Sequence, residues 1–336
     1  MSATVTDAVL EADGDVLVVR WTLLGDETGL EESDPGVDIG VGPTPDGIDH
    51  VHTLTVVPGR RQARLEGLGS GRHYVSVAPH GGGGDVIVGE RRVPFDGVTN
   101  FRDLGGYPAA DRGRTRWGRV FRSDALHRFT PVDLQRYESL RLNAVYDLRG
   151  DLEREQYPNP FPSVQLALLS RDSSETATPP DTADRQDAAG GERMLRQMYQ
   201  GLLANSAPVF GRLLGALAAP DALPAVFHCT GGKDRTGMSA ALLLELLGVP
   251  RQLVLDDYEL TSRFRLRQHQ SESYENLLAT GMGPEAAGAV LGTPRWAMAD
   301  TLEELDNSYG GVRAFLVGPA GMPVATVDRL RSLLVE

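Results

Sequence analysis

Ten consecutive residues, His228-Cys229-Thr230-Gly231-Gly232-Lys233-Asp234-Arg235-Thr236-Gly237, contain the only cysteine and the only lysine of a 336-residue chain. An apolar run at 223–227 precedes them and an Ala- and Leu-rich run at 238–247 follows. The first run reads as a short strand and the second as a helix. A glycine-bearing loop between a strand and a helix start turns several backbone N–H groups toward one point, where the helix dipole also favours negative charge. A cysteine at that point is stabilised as its thiolate. Arg235, six positions on, can fold back and grip two phosphate oxygens as a bidentate fork. Thr236 can donate a hydrogen bond to the sulfur. Together these parts fit in-line attack of a thiolate on phosphorus, giving a phosphocysteine that water then hydrolyses. An isolated cysteine reads as a small buried hydrophobe. The glycines, Arg235 and the strand–helix context turn the reading to chemistry.

Two blocks of chain must carry this loop. From about residue 94 the pattern is α/β, with strands at 143–148, 164–169 and 223–227. A helix opens at Thr130-Pro-Val-Asp133 with a capping-box pattern, and others are expected from Met194, from Pro294 and over 324–335. Alternating strands and helices imply a mainly parallel sheet flanked by helices. The stretch 170–191, rich in Ser, Thr, Pro, Asp and Gly, is expected to be a mobile loop or lid approach. Residues 1–93 read differently. Seven short β-branched or alternating runs, at 3–10, 15–22, 37–41, 51–57, 62–65, 73–78 and 85–90, predict a small all-β sandwich. Trp21 is its candidate core aromatic, and Leu68 six residues before Tyr74 suits a tyrosine corner. On these landmarks the block resembles a fibronectin type III module, with another seven-strand sandwich as the alternative. The expected domains are therefore 1–93 and 94–336.

The ten-residue loop is similar to the signature of the bacterial tyrosine/serine (dual-specificity) protein phosphatase family, which includes secreted mycobacterial and listerial enzymes. Asn100-Phe-Arg-Asp-Leu-Gly-Gly106, Phe121-Arg-Ser-Asp124, and Tyr146-Asp-Leu-Arg149 with Glu153 and Pro158 extend the resemblance over about 95–336. It implies a cysteine-phosphatase-like fold, phosphomonoester hydrolysis on phosphotyrosine, and further action on phosphoserine, phosphothreonine or phosphoinositides. Residue by residue it makes Cys229 the nucleophile and Arg235 the phosphate clamp. Thr230, Gly231, Gly232, Lys233, Thr236 and Gly237 then line the phosphate, with Lys233 and Asp234 facing the substrate and His228 positioning the loop. The proton donor has two candidates, Asp147 first and Asp234 second. Asn100, Arg102, Asp103 and Arg122 are supporting residues, with Asp103 expected to tie the loop to the start of the domain through Arg102 or Arg122. A non-catalytic phosphate-binding module that docks a partner through its β block is the competing function.

Rival motifs fail on their own spacing. Gly232-Lys233 is followed by Asp234 where a nucleotide-binding phosphate loop needs Ser or Thr. Gly237-Met-Ser239-Ala lacks the second glycine of a serine-hydrolase elbow. An arsenate reductase relays oxidation through further cysteines, which this chain lacks. One cysteine and seven histidines also exclude a disulfide framework and a Cys-rich zinc site, and no metal or other cofactor is expected. Asp256-Asp257 reads as solvated or helix-capping. Arg263, Arg265 and Arg267 read as a solvated helix face, with a substrate approach as the alternative. A net charge of −13 argues against nucleic-acid partners and against residence on anionic membranes. No apolar run nears the roughly 18 residues a membrane-spanning helix needs. The acidic start without a basic, then apolar, segment predicts a cytoplasmic protein, with signal-independent export left open. The β block is expected to be a partner-binding module, a spacer or a brace.

Overall fold

Valines and leucines at alternate positions give the first 93 residues their strands. The computed structural model describes residues 4–13, 16–24, 34–69, 71–168, 185–264 and 267–336. The chain divides into two compact units, Met1–Val93 and Pro94–Glu336. In the first, β1 (Thr4–Asp13), β2 (Val16–Leu24) and β5 (Gln62–Leu65) form an antiparallel sheet in the order β1-β2-β5. The second sheet is also antiparallel, in the order β4-β3-β6-β7, from β3 (Val37–Gly42), β4 (Asp49–Val56), β6 (Tyr74–Pro79) and β7 (Val86–Gly89). Val19, Trp21 and Leu23 of one sheet bury in a single cluster with Val37, Ile39, Val75 and Val77 of the other. Period-two alternation does this, because it puts every second side chain on the inner face. Tyr74 is buried at the start of β6, where its hydroxyl meets the Arg72 guanidinium.

The second unit is built on a five-stranded sheet in the order β11-β10-β12-β9-β8. Its strands are β8 (Arg102–Asp103), β9 (Val120–Ser123), β10 (Ala144–Asp147), β11 (Val164–Gln165) and β12 (Ala225–His228). All pairs are parallel except β8 on β9. The central strand β12 is buried along its whole length. Its C-terminal end carries His228 and then the loop, as expected where ligands bind at the carboxyl ends of parallel strands.

The helices are α1 (Pro131–Ser139), α2 (Asp151–Gln156), α3 (Ala188–Asn205), α4 (Ala207–Leu217), α5 (Asp234–Leu246), α6 (Arg251–Phe264), α7 (Arg267–Ala279), α8 (Pro284–Leu291), α9 (Arg295–Tyr309), α10 (Val312–Val317) and α11 (Val324–Leu334). Thr130 and Asp133 form the capping box at α1. Helix α5 begins at Asp234, a turn earlier than its apolar run suggests, so Asp234, Arg235 and Thr236 fall in its first turn. Most of the expected 170–191 loop lies outside the described residues, and its end, from Ala188, is already α3. Gly191 is what lets α3 approach α8, since a Cβ there would meet the Ala286 backbone oxygen at 2.5 Å. Among the described residues no helix is long and apolar enough to cross a membrane.

Candidate active site

The loop sits on a floor of buried side chains. Cys229 and His228 are buried at the end of β12. Gly232 adopts a φ of 63°, and a Cβ there would lie 2.6 Å from the Ser123 oxygen and 2.7 Å from Asn100 Nδ2, so only glycine fits. Asn100 Nδ2 donates to the Gly232 oxygen at 3.1 Å and Arg122 Nη2 to the same oxygen at 2.8 Å. With the loop carbonyls held from behind, its N–H groups are directed the other way. Those of Thr230, Gly231 and Gly232 meet no acceptor among the described residues, and the first bond of α5 runs from Gly237 to Lys233 at 2.8 Å. The N–H groups of residues 234–236 are therefore unpaired within the helix, as at any helix start. Unpaired N–H groups at a helix start next to Cys229 are of the kind that receive an anion.

Arg235 reaches over the loop to Glu153 of α2, with Nη1–Oε2 at 2.5 Å and Nη2–Oε1 at 2.8 Å. Burial opposes ionisation of Glu153, but the hydrogen bonds and charge of Arg235, with Thr230 and the Gly150 N–H, outweigh it and hold the carboxyl at about 2. Burial likewise opposes the Arg235 charge, and Glu153 overcomes it, so the guanidinium stays charged well above neutral pH. Glu153 takes the end of the guanidinium, which leaves its Nε side as a second bidentate edge.

Below the loop, Asp147 is enclosed by donors. Its carboxylate, 1% exposed, meets Arg149 through Nε at 2.9 Å and Nη2 at 2.7 Å and accepts from Asn159 Nδ2 at 3.1 Å. Burial raises its cost of charge, but Arg149 prevails and keeps the carboxyl below its usual range. Ionised and enclosed by donors, Asp147 is the less favourable of the two proton-donor candidates. Asn159 also donates to His228 Nε2 at 3.0 Å, while His228 Nδ1 lies 3.1 Å from the Cys229 oxygen. Burial above all holds the imidazole down to about 4. The neutral ring thus carries its proton on Nδ1, donates to the loop backbone and accepts from Asn159. Sequence reasoning missed Asn159. Its signal is a polar residue fixed between Pro158 and Pro160.

Asp234 is placed differently. Tyr199 donates to its Oδ1 at 2.9 Å, Lys233 Nζ lies 3.1 Å from the same oxygen, and the side chain is 27% exposed. Lys233 was expected to face the substrate. Instead its ammonium is buried and donates to the backbone oxygens of Val290 at 2.6 Å and Gly292 at 2.9 Å, at the end of α8. Three acceptors around a compact ammonium suit lysine and would not suit a planar guanidinium. Thr236 also departs from expectation: its Oγ1 is buried with no hydrogen-bond partner, and makes no bond to the sulfur.

The supporting residues assemble around an acid that the sequence reading left in solvent. Asp257 is buried, meeting Arg102 Nε at 3.0 Å, Arg122 Nη1 at 2.5 Å and the Tyr107 hydroxyl at 3.1 Å. Its neighbour Asp256 does lie on the outer face, against Arg295 at 2.7 Å. Burial and the nearby Arg102 push the Arg122 guanidinium down to about 10, still charged at neutral pH. Asp103 holds the Gly105 and Gly118 N–H groups, each at 2.8 Å. The tie from the loop to the domain start runs through Asn100 and Arg122, with Asp257 as the acid. Arg263 is exposed at the end of α6, Arg265 lies outside the described residues, and the side chain of Arg267 does too. No cluster of metal-ligating side chains occurs among the described residues.

Comparison with known proteins gives the family. The model of the tyrosine phosphatase family matches residues 93–336. The chain is 29% identical over 275 aligned positions to the triple specificity protein phosphatase PtpB of Mycobacterium tuberculosis, covering 71% of this chain and 97% of that one. It is 31% identical over 215 positions to a tyrosine-protein phosphatase of Nostoc commune, covering 58% and 67% respectively. The match takes in the whole α/β unit and spans more than half the sequence, and the chain belongs to the tyrosine phosphatase family.

Proposed function

We propose that this protein is a phosphomonoesterase that works through a Cys229 thiolate, with phosphotyrosine in proteins as its main substrate class. The observation that carries the reading is that Cys229, the unpaired loop N–H groups and the Glu153-braced Arg235 share one strand–loop–helix segment, with Arg235 near enough to Cys229 for their charges to interact. The thiolate attacks phosphorus as the ester P–O bond breaks, and the bonding pair goes to the leaving oxygen. Asp234 supplies the proton to that oxygen. Water then attacks phosphorus as the S–P bond breaks, its proton passes to the Asp234 carboxylate, and phosphate and the Cys229 thiolate are released. Arg235 holds two equatorial oxygens through its Nε side, and charge developing on phosphorus is met by the N–H nest. No step calls on a metal.

The β unit is read here as a fibronectin type III-like domain, on its three-strand and four-strand sheets and its buried Trp21 and Tyr74. The relative named as triple specificity supports activity beyond phosphotyrosine. Lys233, directed at α8, offers no added positive charge to a substrate that carries a second phosphate. Hydrolysis of p-nitrophenyl phosphate in EDTA tests the proposal. Turnover lost in Cys229→Ser is expected; no wild-type turnover leaves the phosphate-binding module as the better account, and full activity in Cys229→Ser rules out the cysteine mechanism. A parallel panel of phosphotyrosine peptide and soluble phosphoinositides should favour the peptide.

A further inference from the structure

Two tyrosines from separate helices form a chain of hydroxyls that ends on Asp234. Tyr199 of α3 donates to Asp234 Oδ1 at 2.9 Å, and its oxygen lies 2.7 Å from the hydroxyl of Tyr258 on α6. A hydroxyl has one proton, so with Tyr199 spending its own on Asp234 the chain runs from Tyr258 through Tyr199 to the carboxyl. Both rings are buried to 1% exposure and meet edge-on at 6.5 Å. Gly237 makes room for this arrangement, since a Cβ there would sit 3.2 Å from the Tyr258 ring. Two phenylalanines would pack the same site without the cost of burying two hydroxyls. What the hydroxyls add is a fixed orientation for one carboxyl. Tyr199 and Lys233 both address Oδ1, and Oδ2 accepts no hydrogen bond among the described residues. Burial first, and the Asp234 charge second, hold the Tyr199 phenol well above its usual range, so it remains a donor.

We propose that Tyr199, backed by Tyr258, is a positioning residue for the proton donor: it fixes Oδ1 of Asp234 so that Oδ2 carries the proton to the leaving oxygen. This rests on the reading of Asp234 as that donor, and the test keeps the two apart. A proton donor matters most when the leaving group is a poor one, so its loss steepens the dependence of kcat/KM on the leaving group. A loss of packing lowers every substrate alike.

The experiment compares phenyl phosphate with p-nitrophenyl phosphate for wild type, Asp234→Asn, Tyr199→Phe and Tyr258→Phe in the full chain. Asp234→Asn should lower phenyl phosphate turnover by about 100-fold and p-nitrophenyl phosphate far less. Tyr199→Phe should lose about tenfold on phenyl phosphate and at most about twofold on p-nitrophenyl phosphate, with Tyr258→Phe between it and wild type. Equal losses on both substrates in the tyrosine variants, or none, while Asp234→Asn steepens the dependence, overturn the positioning role alone. If Asp234→Asn itself shows no steepening, the donor reading falls and the positioning role with it. Should Tyr199→Phe not fold, Tyr258→Phe carries the same comparison, since it breaks the chain one link further from the carboxyl.

Discussion

Asp147 and Asp234 stand on opposite sides of one loop, the first at the end of β10 and the second at the start of α5. Their surroundings separate them. Asp147 is enclosed by a guanidinium, an amide and the buried His228, and has almost no exposure. Asp234 is partly open, and its partners touch a single oxygen. An arginine in bidentate contact occupies both oxygens of a carboxylate, whereas hydroxyl and ammonium contacts on one oxygen leave the other open. In the proposed mechanism the lower cluster holds the loop in place and the upper one supplies the proton.

That division can be broken by mutation. Asp147→Asn leaves Arg149 charged in a buried site and should cost about 3–5 kcal/mol of stability. Thermal unfolding measures it. In whatever fraction folds, the ratio of phenyl to p-nitrophenyl phosphate turnover should stay at the wild-type value; a steepened ratio would return the donor role to Asp147.

The lower cluster should also set the acid limit of stability. His228 has a folded value of about 4 against 6.5 unfolded, so between those pH values the unfolded chain binds the extra proton. Stability is complete above pH 6.5 and falls as pH drops toward 4. At about 1.4 kcal/mol per unit, this group accounts for about 3 kcal/mol. Unfolding of wild type and His228→Gln at several pH values between those limits should show a flatter response in the variant. Equal slopes would mean that other groups carry the acid sensitivity.

Glu153 links the two sides by bracing Arg235, and Glu153→Gln should have the smallest effect of the three. It keeps the shape but loses the charge that orients the guanidinium. KM for p-nitrophenyl phosphate and Ki for inorganic phosphate should both rise about tenfold, with kcat changed less. A fall in kcat with KM untouched would show that the brace acts only in the transition state.

Local signals were the readable ones. The strand ending in Phe227, the loop glycines and the start of the capping box at Thr130 are set by neighbours within a few positions. The seven strands of the β unit are legible for the same reason, since alternation is a short-range pattern. Asp257 was not, because its partners Arg102 and Arg122 lie 155 and 135 positions away, and adjacent acids ordinarily face water. Tyr199 and Asn159 are equally remote from the groups they touch, 35 and 69 positions along the chain. β8, of two residues, is too short to show a period. Lys233 shows the limit from the other side: its rarity pointed to the loop, but only the fold reveals that it faces the end of α8.

The most direct test of the whole account is to trap the intermediate. Full-length protein turning over p-nitrophenyl phosphate is quenched in acid, digested, and the peptide containing Cys229 is analysed by mass spectrometry. The account predicts a phosphate adduct on Cys229 in the wild type and none in Cys229→Ser. Steady turnover by the wild type with no adduct on that peptide, together with activity retained in Cys229→Ser, would contradict it.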